Sequence, residues 1–226
     1  MEKIYLEIRE AEGGLDSKLL VEEMYKIYNK TCLKNGFLLK TLTWKEGFIQ
    51  LQIEGNNVKK FFNNEIGGHR WQRIPPTEKG SRIHTSTITV ALVDSLSNLE
   101  IKIDNNDVDK KYTRGTGNGG QNKNKVHSCV VLTHKPTGIT VRIDGRDRGR
   151  NEKEAWKILK ERLQKLSDNK FNRTYGNIRK EQIGLGLRCE KRRTYRVKDD
   201  LVIDHILNKK ISLTDVYNGN IHKLYK

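Results

Sequence analysis

The sequence contains no run of apolar residues close to the roughly 20 that a transmembrane helix requires. Its N-terminus, MEKIYLEIRE, mixes charged and apolar side chains, unlike a secretory signal peptide or an Arg- and Ser-rich transit peptide. We therefore expect no membrane association and a cytoplasmic location.

Cysteine is also scarce. Cys32, Cys129 and Cys189 lie far apart and form no C-x-x-C pair. An odd number of widely spaced cysteines argues against a disulfide framework, and the missing pair spacing argues against a zinc site. We expect reduced thiols, no bound metal and no cofactor.

Acidic residues are scarce relative to basic ones in one part of the chain, and nearly balance them in the other. Residues 1–100 carry 14 Lys and Arg against 13 Asp and Glu, whereas residues 101–226 carry 30 against 15, within a net charge of +16. A basic excess confined to one region is typical of proteins that bind a polyanion, most often a nucleic acid. A solvated charged surface is the alternative.

The spacing of apolar residues predicts both strands and helices. The predicted strands are 4–10, 37–44, 47–55, 82–93, 194–199 and a hairpin of 127–134 with 138–144. The predicted helices are 16–36, 56–64 and 151–166, followed by a short helical tail. Asp16 or Ser17 would cap the first helix. Asn151 and Glu154 would form a capping box for the third. Residues 67–81 are rich in turn formers. The pattern predicts an α+β protein with two structural units.

A glycine-rich stretch, TRGTGNGGQNKNKVHSC, interrupts the basic region. Gly115, Gly117 and Gly120 match the spacing of a dinucleotide-binding fingerprint, but NKNK follows where that motif needs an apolar helix. No Gly-Lys-Ser or Gly-Lys-Thr ends the run, so it is not a Walker phosphate loop. What remains is a loop that presents Gly119-Gly120-Gln121.

This tripeptide, with Arg114 before it, Lys125 after it and THKPTGITVRID beyond, resembles the catalytic domain of the class I peptide-chain release factors. The resemblance implies hydrolysis of the ester that joins a finished peptide to its tRNA, in the ribosomal peptidyl transferase centre. Gly119 and Gly120 would let the backbone approach RNA closely. The backbone N–H of Gln121 would stabilise the leaving group, and its neutral side chain would order water. The resemblance also implies N5-methylation of Gln121 by a glutamine methyltransferase.

Cations around the tripeptide are expected to contact ribosomal RNA phosphates, which position the loop without reading sequence. The candidates are Arg114, Lys123, Lys125, Arg142, Arg146, Arg148 and Arg150. The implied partners are the ribosome with its mRNA stop codon and the P-site peptidyl-tRNA, and the protein is expected to be a monomer.

The resemblance extends to EIREAEGG, GGHRWQRIPPTEKGSRIHTS and RRTYRVKDDLVIDHI, which are similar to the codon-reading region of the bacterial factors for UAA and UAG. Pro75-Pro76-Thr77 matches the Pro-x-Thr discriminator of those factors, whereas the sister factors for UAA and UGA have Ser-Pro-Phe there. The prolines would stiffen the turn, and the Thr77 hydroxyl would face a base edge.

Five further residues complete the implied codon reader. His84 corresponds to the histidine that stacks on the second base, and Gln72 and Thr85 correspond to the pair that reads the third. Because an amide offers both a donor and an acceptor, Gln72 would accept adenine or guanine. Gly13 and Asp16 lie in the segment that corresponds to the contact with the first uridine.

The resemblance implies three segments: a codon-recognition domain at 1–100, an inserted Gly-Gly-Gln domain at 101–185, and a C-terminal segment at 186–226 that packs back on the first domain. It also implies a short form that lacks the N-terminal helical domain of full-length factors and does not depend on a recycling GTPase. Two positions depart from the family pattern, since Leu15 replaces an acid and Ser81 replaces a glycine.

Two other functions are compatible with parts of the sequence. A codon-independent ribosome-rescue hydrolase would keep the Gly-Gly-Gln tripeptide. Such hydrolases lack the Pro-x-Thr reader, and several add a basic tail, whereas the tail NGNIHKLYK has only two lysines. A non-catalytic RNA-binding competitor of release factors would not need the intact tripeptide.

Overall fold

The computed structural model describes residues 2–78, 80–93, 103–116, 120, 125–184 and 189–225. The contacts divide the chain into two compact units. The first comprises Met1–Leu96 and Tyr175–Lys226, and the second comprises Ser97–Thr174. Both units contain helical and strand residues, which confirms the predicted mixture of α and β structure.

Among the described residues, eleven strands and four α-helices follow one another along the chain. The strands are β1 Glu2–Glu10, β2 Leu38–Lys45, β3 Phe48–Gly55, β4 Gly67–Arg73, β5 His84–Val93, β6 Val108–Thr113, β7 Cys129–His134, β8 Thr140–Ile143, β9 Lys191–Arg196, β10 Leu201–Asp204 and β11 Lys209–Ser212. The helices are α1 Leu15–Asn35, α2 Val58–Asn63, α3 Arg148–Ile183 and α4 Leu213–Tyr217, with short 3-10 helices at Asn105–Asp107 and Ile221–Leu224.

The first unit is built on one sheet with the strand order β11-β10-β9-β4-β5-β1-β3-β2. Strands β4 and β9 are parallel, and the other neighbouring pairs are antiparallel. The C-terminal strands therefore join the sheet beside β4, which also pairs with β5 on its other side.

The core of the first unit lies between this sheet and α1. Alternation along β1 places Ile4, Leu6 and Ile8 on one face, and the apolar stripe of α1 includes Leu20 and Met24. All five side chains are at most 1 % exposed. Each such side chain contributes roughly 1.5–3 kcal/mol by removing apolar surface from water. The predicted strand and helix are confirmed here.

Helix α1 ends where the sequence predicts and begins slightly earlier. Gly36 has φ 68°, so it provides a left-handed C-cap, and its N–H donates to the carbonyl of Cys32. The N-cap is Gly14 and not Asp16 or Ser17. Asp16 lies in the first turn and is ion-paired, while Ser17 Oγ donates to the Gly14 carbonyl over 2.7 Å.

Strand β4 is the main departure from the sequence prediction. The turn formers at 67–81 favour a connection, whereas residues Gly67–Arg73 form a strand. Long-range packing decides the outcome, because the buried Trp71 stacks on Tyr195 of β9 with ring centroids 4.2 Å apart. Strands β10 and β11 were not predicted either, since four residues are too few for a periodic signal.

The second unit combines the antiparallel sheet β6-β7-β8 with the first part of α3. Strands β7 and β8 form the predicted hairpin, whose turn places Gly138 at φ 70°. Val130 and Leu132 of β7 pack with Ala155 and Leu159 of α3 in a small core.

Helix α3 begins before its predicted start and continues well beyond its predicted end, as Arg148–Ile183. The predicted capping box is absent from it. Instead Asp147 Oδ1 accepts hydrogen bonds from the N–H groups of Gly149 and Arg150 at 2.8 and 3.1 Å. Asn151 Nδ2 donates to two loop carbonyls. Neither α3 nor another helix of the described residues is long and apolar enough to cross a membrane.

The division into units differs from the predicted segments at the end of α3. The sequence assigns 101–185 to one segment, whereas the contacts assign 175–183 to the first unit. Gln182 contributes to this assignment, because its Oε1 accepts from the Leu92 N–H at 2.9 Å and its Nε2 donates to the Leu92 carbonyl at 2.7 Å. The side chain thus pairs with β5 as a neighbouring strand would.

Candidate functional site

The loop between β4 and β5 carries the predicted Pro-x-Thr element. The N–H of Glu78 donates to the Pro75 carbonyl over 3.0 Å, which closes a β-turn. Pro76 occupies the second position of this turn, where its fixed φ is favourable, and Thr77 occupies the third. Pro75 is buried, whereas Pro76 and Thr77 are exposed. The Thr77 hydroxyl is therefore presented to solvent on a stiff support.

Gln72 and Thr85 lie directly opposite each other in the β4–β5 ladder. Cross-strand neighbours of this kind have Cβ atoms about 4.5–5.5 Å apart. Neither the Gln72 amide nor the Thr85 hydroxyl is paired with another side chain in the part of the chain that the structure describes. The structure thus brings together two residues that the family resemblance assigns to one base, and no described side chain occupies either polar group.

The next ladder pair, Arg73 and His84, faces the opposite side of the sheet. Successive residues of a strand point to opposite faces. Arg73 is bonded to Asp16 of α1, so the side chains of Arg73 and His84 face α1. Gln72 and Thr85 consequently face away from α1. His84 and Thr85 are adjacent in the sequence and both are predicted to read the codon, but their side chains lie on opposite faces of the sheet.

A surface cleft of about 700 Å³ lies between the start of α1 and the start of β5. Its lining residues are Gly13, Gly14, Arg82, Ile83, His84, Thr85 and Ser86. Gly13 has φ 138°, and an added Cβ would stand 2.6 Å from Ser86 Cβ, so glycine is required for this close approach. Glu78 Oε2 lies 3.0 Å from His84 Nε2 and orients the imidazole. Three predicted codon-reading residues, Gly13, His84 and Thr85, contribute atoms to the lining of this cleft, although the side chains of His84 and Thr85 point to opposite faces of the sheet.

Asp16 does not present a free carboxylate to the cleft. Its side chain is 4 % exposed, and its Oδ1 accepts from Arg73 Nε at 3.0 Å and from Arg73 Nη2 at 2.7 Å. Arg73 Nη1 also donates to Glu23. The structure therefore gives Asp16 a positioning role between α1 and β4. The sequence offered no signal for Arg73 and Glu23, because Arg73 lies 57 residues from Asp16 and 50 residues from Glu23 along the chain.

A buried polar network supports β4 from the side of the core. Arg193 of β9 donates to Glu65 Oε1 at 2.5 Å and to Asp204 Oδ2 at 2.8 Å. His69 of β4 has Nε2 2.8 Å from the Glu65 carbonyl and Nδ1 2.8 Å from the Tyr195 hydroxyl. Because a carbonyl only accepts, Nε2 carries the proton. Burial, together with repulsion from Arg193, lowers the pKa of His69 to about 3, so the ring is neutral near pH 7.

The predicted RNA-contacting cations of the second unit are exposed wherever they are described. These residues are Arg114, Lys125, Arg142, Arg146, Arg148 and Arg150, and Lys123 lies outside the described residues. Arg142 Nη2 donates to the Arg114 carbonyl over 3.1 Å. The guanidinium carbon of Arg148 lies 3.6 Å from the centroid of the Tyr112 ring, a cation–π contact that fixes its direction.

Of the predicted catalytic residues, Gly120 is described, whereas Gly119 and Gln121 lie outside the described residues. Gly120 is exposed, and its φ lies outside the left-handed range. No atom of the described chain lies within 4 Å of a Cβ built at this position. The surroundings described for Gly120 therefore do not themselves require glycine.

Two family models together match most of the chain. The PCRF domain matches residues 1–90, and the RF-1 domain matches residues 97–206. The chain is 36 % identical to a protein of Malacoplasma penetrans named peptide chain release factor 1, over 98 % of this chain and 64 % of the relative. The peptide chain release factor 1 of Ligilactobacillus salivarius is 37 % identical, over 96 % of this chain and 63 % of the relative. The chain belongs to the peptide-chain release factor family.

A solved structure of a release factor is also similar to it. RF2 of Thermus thermophilus matches with a TM-score of 0.55 and 25 % identity, covering 99 % of this chain and 66 % of that one. This release-factor chain thus spans about two thirds or slightly less of the length of these relatives. The PCRF match contains the turn of Thr77 and the ladder of Gln72 and Thr85, and the RF-1 match contains the Gly-Gly-Gln tripeptide.

Proposed function

We propose that this release-factor chain terminates translation by reading UAA and UAG in the ribosomal A site and by promoting hydrolysis of the peptidyl-tRNA ester. Residues 1–100, with 186–226 packed on them, would read the codon, and residues 101–185 would carry out hydrolysis. The observation that carries the proposal is the opposite orientation of His84 and Thr85 at the start of β5.

Unpaired RNA is read by stacking and by hydrogen bonds to base edges. His84 faces the side of α1, beside the cleft that contains Gly13, and its imidazole can stack on a base. Thr85 and Gln72 face the other side. A base stacked on His84 would therefore be separated by the strand from the base bound by Gln72 and Thr85. This arrangement suits a codon whose first two bases are read together and whose third base is read alone.

Tolerance of two purines at the third base follows from the chemistry of Gln72. Its amide offers a donor and an acceptor, so it can face either the amino group of adenine or the carbonyl of guanine. The amide is not held by another described side chain, so it can take either orientation. Thr85, opposite it in the ladder, adds a hydroxyl that donates or accepts.

Selection at the second base is assigned to Thr77. The turn from Pro75 to Glu78 fixes its position, and the hydroxyl is exposed. A lone pair of this hydroxyl would accept a hydrogen bond from the amino group of adenine. Guanine presents a carbonyl oxygen at that place, so its rejection requires the hydroxyl to be held with a lone pair, and not its proton, towards the base. UAA and UAG would be accepted and UGA rejected.

Hydrolysis is assigned to Gly119-Gly120-Gln121, inserted into the peptidyl transferase centre. Water would attack the ester carbonyl carbon, and the bond to the tRNA 3′ oxygen would break. The backbone N–H of Gln121 would donate to that leaving oxygen, and its side chain, N5-methylated by a glutamine methyltransferase, would help to select water. The exposed cations of the second unit would hold ribosomal RNA phosphates, with the factor acting as a monomer.

Peptide release from defined ribosomes tests this proposal. The ribosomes would carry labelled peptidyl-tRNA in the P site and UAA, UAG, UGA, a sense codon or no codon in the A site. Release should be fast at UAA and UAG and near background in the other three cases. Release on an empty A site as fast as at UAA would assign the chain to codon-independent rescue. Binding without release at every codon would assign it to a non-catalytic competitor.

A further inference from the structure

Two arginines flank Gln72 on the sheet face that points away from α1. In the parallel ladder of β4 and β9, Gln72 lies beside Arg196, and Arg70 lies beside Thr194. Arg70 is two residues before Gln72, so strand alternation places it on the same face. Arg70 and Arg196 form what we call the arginine pair.

The described residues neutralise the arginine pair poorly. Arg70 has no ion pair with the described residues, and its buried Nε has no hydrogen-bond partner among them. Arg196 Nη1 lies 3.9 Å from Asp199 Oδ2, in an exposed contact that contributes little. Burial, and then repulsion from Arg196, lower the pKa of Arg70. Two cations that repel each other and have no strong counter-ion among the described residues form a surface that favours an anion.

Lys191 extends this positive surface, and the ring of His205 lies within it. His205 Nε2 lies 2.8 Å from Thr194 Oγ1, next to the ladder position of Arg70. Burial, followed by repulsion from Lys191 and from the arginine pair, lowers the pKa of His205, with Asp204 opposing. The carboxylate of Asp204 is already bonded to Arg193, so it offsets only part of this positive charge.

The proposed codon path leads towards the arginine pair. Thr77 and His84 mark the second base, and Gln72 and Thr85 mark the third, farther from the tip of the loop. Arg70 lies two residues farther along β4, about 6.7 Å beyond Gln72 at the usual rise of a strand. An extended RNA strand advances by a comparable step from one nucleotide to the next.

We propose, resting on the proposed function, that the arginine pair binds the mRNA phosphate that joins the third base of the stop codon to the following nucleotide. Proteins that hold single-stranded RNA combine base contacts with cations along the backbone. A phosphate contact carries no sequence information but fixes position. The arginine pair would therefore hold the third nucleotide against Gln72 and increase affinity equally for UAA and UAG.

One uncharged linkage in the mRNA tests this inference. Two mRNAs would be compared, one with a normal phosphate and one with a methylphosphonate directly 3′ of a UAA codon. The measured quantity is the factor concentration that gives half-maximal release. For the wild-type chain it should rise about tenfold on the methylphosphonate mRNA, the effect expected for the loss of one charge-assisted hydrogen bond.

The variant Arg70→Gln/Arg196→Gln should show about the same tenfold rise on the normal mRNA and no further rise on the modified one. Arg70→Lys/Arg196→Lys keeps the charge and should recover most of the loss. Lys40→Gln/Lys45→Gln removes two exposed charges from the far edge strand β2 and should behave as wild type. Thermal unfolding of each variant checks that it folds.

Two results would overturn the inference. If the methylphosphonate does not change the concentration of wild-type chain that gives half-maximal release, the chain does not bind that phosphate. A Gln variant that loses activity and still responds to the methylphosphonate shows that the arginines act elsewhere, on ribosomal RNA or on the fold. Release by the wild-type chain at UAA on the normal mRNA tests the proposed function on its own. Failure of the proposed function can therefore be distinguished from failure of this inference.

Discussion

Arg73 and Asp16 form a buried ion pair that ties the last residue of β4 to the first turn of α1. Arg73 Nη2 lies 2.7 Å from Asp16 Oδ1, and the side chains are 7 % and 4 % exposed. Arg73 is adjacent to Gln72, and Asp16 follows shortly after Gly13. The pair therefore fixes two parts of the proposed codon reader relative to each other.

Removal of Asp16 should be strongly destabilising. Asp16→Ala leaves the buried Arg73 with Glu23 alone, and breaking one side of a buried pair costs about 3–5 kcal/mol. Urea unfolding measures the change. Glu46→Ala, which removes the exposed partner of Lys18, is the control and should have little effect. If both variants unfold at the same urea concentration, the ion pair does not support the fold.

His69 should make stability depend on pH. Its pKa is about 3 in the folded chain and about 6.5 when unfolded. Because the unfolded chain binds the proton more readily, the contribution of His69 to the free energy of unfolding is complete above about pH 6.5 and is lost as the pH falls towards 3. At pH 5 the loss should be on the order of 2 kcal/mol.

Unfolding of wild type and His69→Gln at pH 7 and pH 5 separates this contribution from other titrating groups. The variant should lose less stability than wild type over that interval. An equal loss in both chains would assign the pH dependence to other residues and would mean that the His69 ring is not held neutral.

The catalytic assignment predicts variants that fold but do not release peptide. Gly120→Ala should unfold like wild type, because a Cβ meets no described atom within 4 Å, and should lose most release in the crowded RNA site. Gln121→Pro removes the backbone N–H and should abolish release while ribosome binding is nearly unchanged. Gln121→Ala keeps the N–H and should be milder.

Gly138→Ala is the matched control for these variants. Gly138 has φ 70° in the hairpin turn, so alanine should cost about 1 kcal/mol of stability without changing the rate of release at saturation. A Gln121→Pro variant that releases peptide at nearly the wild-type rate would refute the role given to the backbone N–H.

The basic second half of the sequence predicts a strong salt dependence. Each phosphate contact displaces counterions, so ribosome affinity should fall steeply as salt increases. Lys123→Gln/Lys125→Gln should make this slope shallower, as measured by ribosome binding at several salt concentrations, and should leave codon preference unchanged. A change in codon preference would mean that the two functions have been assigned to the wrong parts of the chain.

The sequence was sufficient where the structural signal is local. Alternation identifies β1, β3 and β5, Gly36 ends α1, and Gly138 marks the hairpin turn. It was insufficient for β4, where turn formers dominate the local signal and a contact between Trp71 and Tyr195 decides the structure. Such a contact joins distant parts of the chain, so no window of sequence contains both partners.

The same distinction holds for the candidate site. The resemblance of short motifs to those of the release factors points to Thr77, Gln72 and the Gly-Gly-Gln tripeptide, since each motif is contained in a short stretch of sequence. The burial of Asp16 by Arg73 depends on α1 packing against β4. The arginine pair depends on β9 lying parallel to β4, and the sequence does not specify that neighbour.

The ratio of release at UAG to release at UGA tests the central claim most directly. Wild type should release efficiently at UAA and UAG and poorly at UGA, because Thr77 pairs with adenine and not with guanine at the second base. Thr77→Ala should lower release at UAA and UAG by the equivalent of about 1–3 kcal/mol, the scale of one unmatched polar group, with little effect on unfolding. Equal release at UAG and UGA by the wild-type chain would contradict the account.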